Sequence, residues 1–281
     1  MKEVKISCAD FTFPLLQHEK VFDLIALLDV KGIDIGLFSG RSHITAETEF
    51  DNLSHNAKVL KQKLNDRGLT LSDIYLQLHT NLAAFAINHP DESKRKYARE
   101  RFLRFIDYAK EAGTDHITTL PGMHFKEEDV DRSVHRSYEE LNWRVEKTKA
   151  AGLQFSVEVH TGSPFMKPED ALTLLRSVPG LGLTLDYTHF IRDGYVQQDV
   201  DVLLPYAHHF HSRGAKQGRL QTSMSENIID YPDIIQKLKK LHYSGWIGLE
   251  YIWIEWEKCN EADTLSESLR LKKIIEEAYV S

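Results

Sequence analysis

The chain has 281 residues, with 35 Lys and Arg against 42 Asp and Glu, for a formal net charge of −7. That length suits one large α/β barrel or two ordinary domains, and either can bury a full core. The 42% apolar and 27% charged fractions are those of a globular chain, which argues against disorder and fibres. The acidic balance argues against a nucleic-acid partner, whose usual footprint is a basic face. No run of eighteen apolar residues suggests a membrane span. Met1-Lys2-Glu3-Val4-Lys5-Ile6 alternates charged and apolar groups where a secretory leader would be apolar, so the expected location is cytoplasmic. Cys8 and Cys259 lie far apart, without CxxC spacing, and read as reduced packing residues.

Along the chain, short β-rich runs alternate with amphipathic segments. Strands are predicted at Lys5–Cys8, Gly32–Phe38, Leu71–Leu78, His116–Leu120, Leu153–His160, Gly182–Asp186, His208–His211 and Ile247–Tyr251. Helices are predicted at Glu19–Val30, Leu53–Arg67, Glu92–Glu111, Glu128–Ala150, Pro168–Ser177, Asp199–Tyr206, Tyr231–Leu241 and Asp263–Ala278. Pro168-Glu169-Asp170 opens a helix with proline and two acids, where the helix dipole favours negative charge. Gly68, Gly113 and Gly152 each stand between a helix and the next strand, as a C-terminal cap does. Eight such units imply parallel strands. They fit a closed (β/α)8 TIM barrel spanning residues 1–281 as one domain. An open nucleotide-binding sheet would want glycines after its first strand; here that turn reads Ala9-Asp10-Phe11-Thr12-Phe13.

In such a barrel the chemistry sits at the C-terminal strand ends. With a period of two, Val157 and Val159 face the helices while Glu158 and His160 point inward. By the same alternation Asp186 points inward on the sixth strand, His209 and His211 on the seventh, and Glu250 on the eighth. His189 falls in the loop just beyond Asp186. Glu158, Asp186, His211 and Glu250 thus converge from four successive strands. Three carboxylates without a counter-ion would force protons onto one another. One divalent cation resolves the conflict, and oxygen ligands with one imidazole suit Mn²⁺, Mg²⁺ or Co²⁺, with Zn²⁺ as a further option.

Glu158-Val159-His160, Asp186-Tyr187-Thr188-His189, His209-Phe210-His211 and Gly248-Leu249-Glu250 resemble the strand-end motifs of the xylose-isomerase-like barrels. This superfamily includes sugar isomerases and epimerases, inosose and dehydroshikimate dehydratases, and endonuclease IV. The resemblance implies a metal held by Glu158, Asp186, His211 and Glu250, with Glu158 and Glu250 doubling as catalytic acid and base. It also implies that His189 touches a substrate oxygen, and that the chain can form homo-oligomers. The activity implied is isomerisation or epimerisation of a ketose or sugar phosphate through an enediolate. A dehydratase on the same scaffold is the alternative, and a sugar-binding barrel without turnover is a third reading.

A second likeness, to endonuclease IV, lies in His79, in Asn88-His89-Pro90 and in Leu120-Pro121-Gly122. That family needs a histidine where Leu120 stands and an Asp-x-His where Met224-Ser225-Glu226 stands, so two ligands of its three-zinc site are missing. His79 and His160 remain candidates for substrate contact. Arg213, Lys216 and Arg219, interleaved with Gly214 and Gly218, read either as an anion-binding loop or as a solvated basic one. Tyr251, Trp253 and Trp256 can line a sugar pocket or pack at an interface; Trp253 is the candidate for substrate contact.

Overall fold

The computed structural model describes residues 4–281. Ten strands occur among them: β1 (Ile6–Ala9), β2 (Gly32–Phe38), β3 (Thr70–Gln77), β4 (His116–Thr119), β5 (Gln154–Val157), β6 (Gly182–Asp186), β7 (Ala207–Ser212), β8 (Gly214–Lys216), β9 (Arg219–Thr222) and β10 (Trp246–Leu249). Seven of them, β1 to β7, join β10 in a closed barrel of parallel strands, with β1 pairing to both β2 and β10. The remaining two, β8 and β9, form an antiparallel hairpin that the sequence did not announce. It rises directly after β7, in the segment read as a glycine-interleaved basic loop.

The alternation of outward apolar and inward polar residues builds two cores. Ile33, Ile35, Leu37, Ile74, Leu76, Phe155, Val157, Leu183 and Leu185 are buried in the layer between barrel and helices. The barrel lumen is polar, unlike the branched aliphatic filling usual in this architecture. Asp34 accepts hydrogen bonds from Ser7 Oγ at 3.0 Å and Ser72 Oγ at 2.6 Å, and pairs with His209 Nε2 at 3.1 Å. Asp73 Oδ1 lies 2.7 Å from His116 Nδ1, whose other nitrogen is 2.8 Å from Ser156 Oγ. Asp34, His116 and Ser156 of this floor are thus partnered, as burial favours, while Asp73 Oδ2 is left without a hydrogen bond.

Room for Asp34 depends on Gly248. A Cβ there would stand 2.4 Å from Asp34 Oδ2 and 2.8 Å from the Phe210 carbonyl oxygen. Gly248→Ala is expected to cost about 1–3 kcal/mol in overpacking, read as a lower midpoint in urea unfolding. An unchanged midpoint would show that the lumen has slack.

Several helical segments differ from expectation, among them one at Tyr187–Arg192 that carries His189 where a loop was expected. The predicted helix Leu53–Arg67 spans Leu53–Asn65 and is preceded by a separate helix, Ala46–Asp51, which opens on a Thr45–Thr48 capping box. The segment 199–206 is one short α-turn followed by a 3₁₀ stretch containing Pro205, because proline cannot extend an α-helix. A helix at Tyr187–Arg192 follows β6 with no loop at all: Asp186 ends the strand and caps the helix, accepting from Thr188 N. Among the described residues, no helix is long and apolar enough to cross a membrane.

Candidate active site

Glu158 and Glu250 stand one residue beyond β5 and β10. Their backbone amides still donate to Thr119 O and Ser212 O, each at 3.0 Å, so the barrel ladder carries both side chains inward at the C-terminal rim. His211, on β7 between them, presents Nδ1 2.6 Å from Glu158 Oε1 and 3.5 Å from Glu250 Oε1. Glu158 Oε2 accepts from the Tyr75 hydroxyl at 2.8 Å. Candidate ligand atoms of Glu158, His211 and Glu250 all lie within 4.8 Å of one another, so these three could hold a metal ion.

The fourth expected ligand stands apart from them. Asp186 Oδ2 accepts from Arg213 Nη2 at 2.7 Å, and Oδ1 accepts from the Thr188 amide and hydroxyl at 2.8 and 2.6 Å. The other arm of the Arg213 guanidinium reaches Glu250 Oε2 at 3.2 Å. Arg213 is therefore a buried cation wedged between Asp186 and Glu250. The side of the cluster that Asp186 would close carries a fixed positive charge instead.

The two glutamates are driven in opposite directions. Burial opposes ionisation of Glu158, but His211 outweighs it and holds the carboxyl well below the usual range. Burial raises Glu250 to about 7; Arg213 and His211 only partly offset this, and the neighbouring Glu158 and Asp186 add to it. Burial works against charge on His211, yet Glu250 and Glu158 raise it to about 10. His189 goes the other way: burial lowers it to about 3, leaving a neutral ring whose two nitrogens have no hydrogen-bond partner. A carboxyl pushed down, a carboxyl pushed up and a neutral imidazole thus face a common space, the pattern by which a site assigns its base and its acid.

That space is a cavity of about 390 Å³. His160 and His189 lie against Glu158, and Trp256 stacks on His160 with ring centroids 5.4 Å apart. Trp253 lines the mouth and is 40% exposed. His79 does not reach this cavity. It is exposed, its Nδ1 accepts from Asn81 N, and it borders a separate small pocket on the far side of β3. Lys216 and Arg219 are on the hairpin, paired with Glu226 and Glu261 at the surface, so of the basic loop only Arg213 belongs to the site.

Among the lining residues that the sequence reading missed are Arg41, Tyr75 and Gln77, while Trp256 lines the cavity as one of its two readings allowed. A signal for two of them exists. Asp73, Tyr75 and Gln77 occupy alternate positions of β3, and the period of two sends all three into the lumen.

The comparisons with known proteins agree with this architecture. No curated protein matches the chain. Among solved structures, D-psicose 3-epimerase from Clostridium cellulolyticum superposes with a TM-score of 0.72 at 15% identity, over 98% of this chain and 96% of that one. The probable 3-DHS dehydratase AsbF of Bacillus anthracis gives 0.72 at 17% identity, over 96% and 99%. A xylose isomerase-like TIM barrel protein from Mycobacterium smegmatis, in complex with magnesium, gives 0.73 at 15% identity, over 99% and 100%. At such identities these neighbours speak for the fold alone. The family model described as xylose isomerase-like TIM barrel matches residues 22–274, and with a closed eight-stranded barrel beneath that match the chain belongs to the xylose isomerase-like TIM barrel family.

Proposed function

We propose that the chain is an enzyme that moves a proton on a carbon next to a carbonyl in a small carbohydrate-like substrate, as a ketose isomerase or epimerase does. The observation that carries this reading is the pair Glu158 and Glu250: two buried carboxyls on one cavity, one pushed down and one pushed up. In this reading Glu158 takes the proton from carbon, and Glu250 returns one to the other face or to the neighbouring carbon. Tyr75 fixes Glu158 through its 2.8 Å hydrogen bond. Neutral His189, whose Nε2 lies 3.5 Å from Asp186 Oδ2 and whose nitrogens make no hydrogen bond, can donate to or accept from a substrate hydroxyl. Arg213 holds Glu250 in place from Asp186.

The donor set of Glu158, His211 and Glu250 is of the kind that hard divalent cations take. These three would hold one Mn²⁺, Mg²⁺ or Co²⁺, or else Zn²⁺, while Asp186 orients Arg213 in place of acting as the fourth ligand. The ion, when bound, would supply positive charge for the oxygens of the enediolate. A cytoplasmic setting accords with two free buried cysteines.

A dehydratase is the second reading, because the proton that Glu250 retains near neutrality is also what a departing β-hydroxide needs. Incubation with ketoses and cyclic keto-polyols in heavy water separates the two. Deuterium entry with an isomeric product is the expected result; a product absorbing as a conjugated enone or enoate would favour the lyase. Elemental mass spectrometry of protein purified without chelator is expected to find about one divalent metal per chain, reduced in Glu250→Gln. Three zinc ions would revive a phosphodiesterase. No metal, together with no thermal shift on adding Mn²⁺, would favour a barrel that binds without turnover.

A further inference from the structure

Two guanidinium groups face the cavity, and they differ in one respect. Arg213 is committed on both arms to carboxylates, Asp186 and Glu250. Arg41, in the loop after β2, has no carboxylate partner among the described residues. Its side-chain contacts are one hydrogen bond from Nη2 to Gln77 Oε1 and a stack over the Phe38 ring, 4.7 Å from the centroid. A guanidinium carries five N–H donors in a rigid fork, so four remain unspent. The group is half-buried, and burial works against its charge with only distant relief from Tyr75, Glu250 and Glu158. Arginine nevertheless stays ionised in proteins. A half-buried, unpaired cation on the wall of the cavity is costly unless an anion enters with the ligand.

The remaining charges agree. In the cluster proper the carboxylates of Glu158, Glu250 and Asp186 are already met by His211 and Arg213. Arg41 contributes nothing to that balance at contact distance. It stands on the opposite wall, with Gln77 fixing one nitrogen and Phe38 fixing the plane of the fork. Arg41 lines the cavity with its remaining donors unspent, and a guanidinium so placed can grip two oxygens of one anion at once.

We propose that Arg41 is the anion-binding residue of this site, and that the substrate is a polyol or keto-polyol bearing a carboxylate or a phosphate. This inference rests on the proposed polyol chemistry for the substrate class, and its test reads binding, so that it can fail separately from turnover. The probes are D-fructose, D-fructuronate and D-fructose 6-phosphate, titrated calorimetrically against the whole chain at constant ionic strength. The variants are Arg41→Met, which keeps the stack on Phe38, and Arg41→Lys, which keeps the charge.

In the wild type at least one of the two anionic probes is expected to bind roughly 10- to 100-fold more tightly than D-fructose, the range of a charge-assisted hydrogen-bond pair. Whichever anion leads identifies the group. Arg41→Met is expected to erase that preference, weakening the anionic probe far more than D-fructose, and Arg41→Lys to restore part of it. A preference that survives in Arg41→Met would overturn the assignment, as would a wild type that binds neither anion better than D-fructose. Arg41-dependent anion binding without deuterium entry from heavy water would uphold Arg41 and sink the proton-transfer reading instead.

Discussion

Replacing Glu158 with glutamine is expected to lower turnover by roughly 10²- to 10⁴-fold, the usual contribution of a positioned acid or base, with the barrel still folded. Glutamine keeps the shape of the side chain, and its single amide oxygen can still accept from one of the two partners, Tyr75 or His211. It cannot take a proton from carbon. The loss should appear in the rate of deuterium entry into substrate, while near-ultraviolet circular dichroism stays that of the wild type. The fall should lie mainly in kcat, because a base acts in the transition state more than in substrate binding.

Glu250→Gln should fail as well, but with a different signature. Glu250 holds its proton to higher pH because burial outweighs Arg213 and His211. If its role is to return a proton, exchange of the substrate hydrogen can persist in this variant while net conversion to product stops. Full exchange and full conversion in both variants would remove these two residues from the chemistry altogether.

The frame of this site was legible in the sequence because the period of two is unforgiving. Val157 and Val159 had to meet the helices, so Glu158 and His160 had to face the lumen, and both line the cavity. The same logic applies to His209 and His211 on β7, which sit in the lumen at two successive levels. What alternation cannot supply is the pairing among residues that already face inward. Asp186 and Glu250 share a direction with Glu158, yet only the three-dimensional reach of Arg213 decides that Asp186 is bound to a guanidinium. Arg213 itself lay in a glycine-rich run, where no periodicity constrains the side chain. In the structure that run begins the β8–β9 hairpin, and Gly214 gives the reason for a glycine there. A Cβ at Gly214 would stand 2.7 Å from both the Thr222 carbonyl oxygen and the Tyr251 hydroxyl.

Arg41 was hidden for a similar reason. It follows β2 by three residues, in a turn whose sequence, Ser39-Gly40-Arg41-Ser42, resembles any solvated loop. Its place in the cavity depends on Gln77 and Phe38, which come from the ends of two adjacent strands. Tyr75 was masked differently: alternation along β3 gives its direction into the lumen, but only its partner, Glu158 across the lumen, reveals its task. Signals of that kind are long-range contacts, and no local pattern encodes them.

The polar floor beneath the site carries the largest expected effect on stability. Asp34 is buried at 1% exposure, with Ser7, Ser72 and His209 all directed at its two oxygens. Asp34→Ala removes the common acceptor and strands Ser7 and His209 in the lumen, while Ser72 Oγ keeps the Ile33 carbonyl oxygen as its acceptor. The expected cost is about 3–5 kcal/mol, or a fall of roughly 10 °C in Tm for a chain of this size. Asp34→Asn, which retains one acceptor oxygen, should lose less. The pH dependence has a definite sign. Burial works to raise the Asp34 carboxyl, but His209 outweighs it, through its charge and its hydrogen bond, and the folded-state value ends below the ordinary one. A depressed carboxylate stabilises the fold above its unfolded pKa of about 4 and loses that contribution as pH falls through the folded value. The gap in stability between wild type and Asp34→Ala should therefore be widest near neutrality and narrow below about pH 4. Urea melts at pH 7 and pH 3 would check it. A gap that is the same at both values would mean that Asp34 acts through packing volume alone and that its charge stabilises nothing.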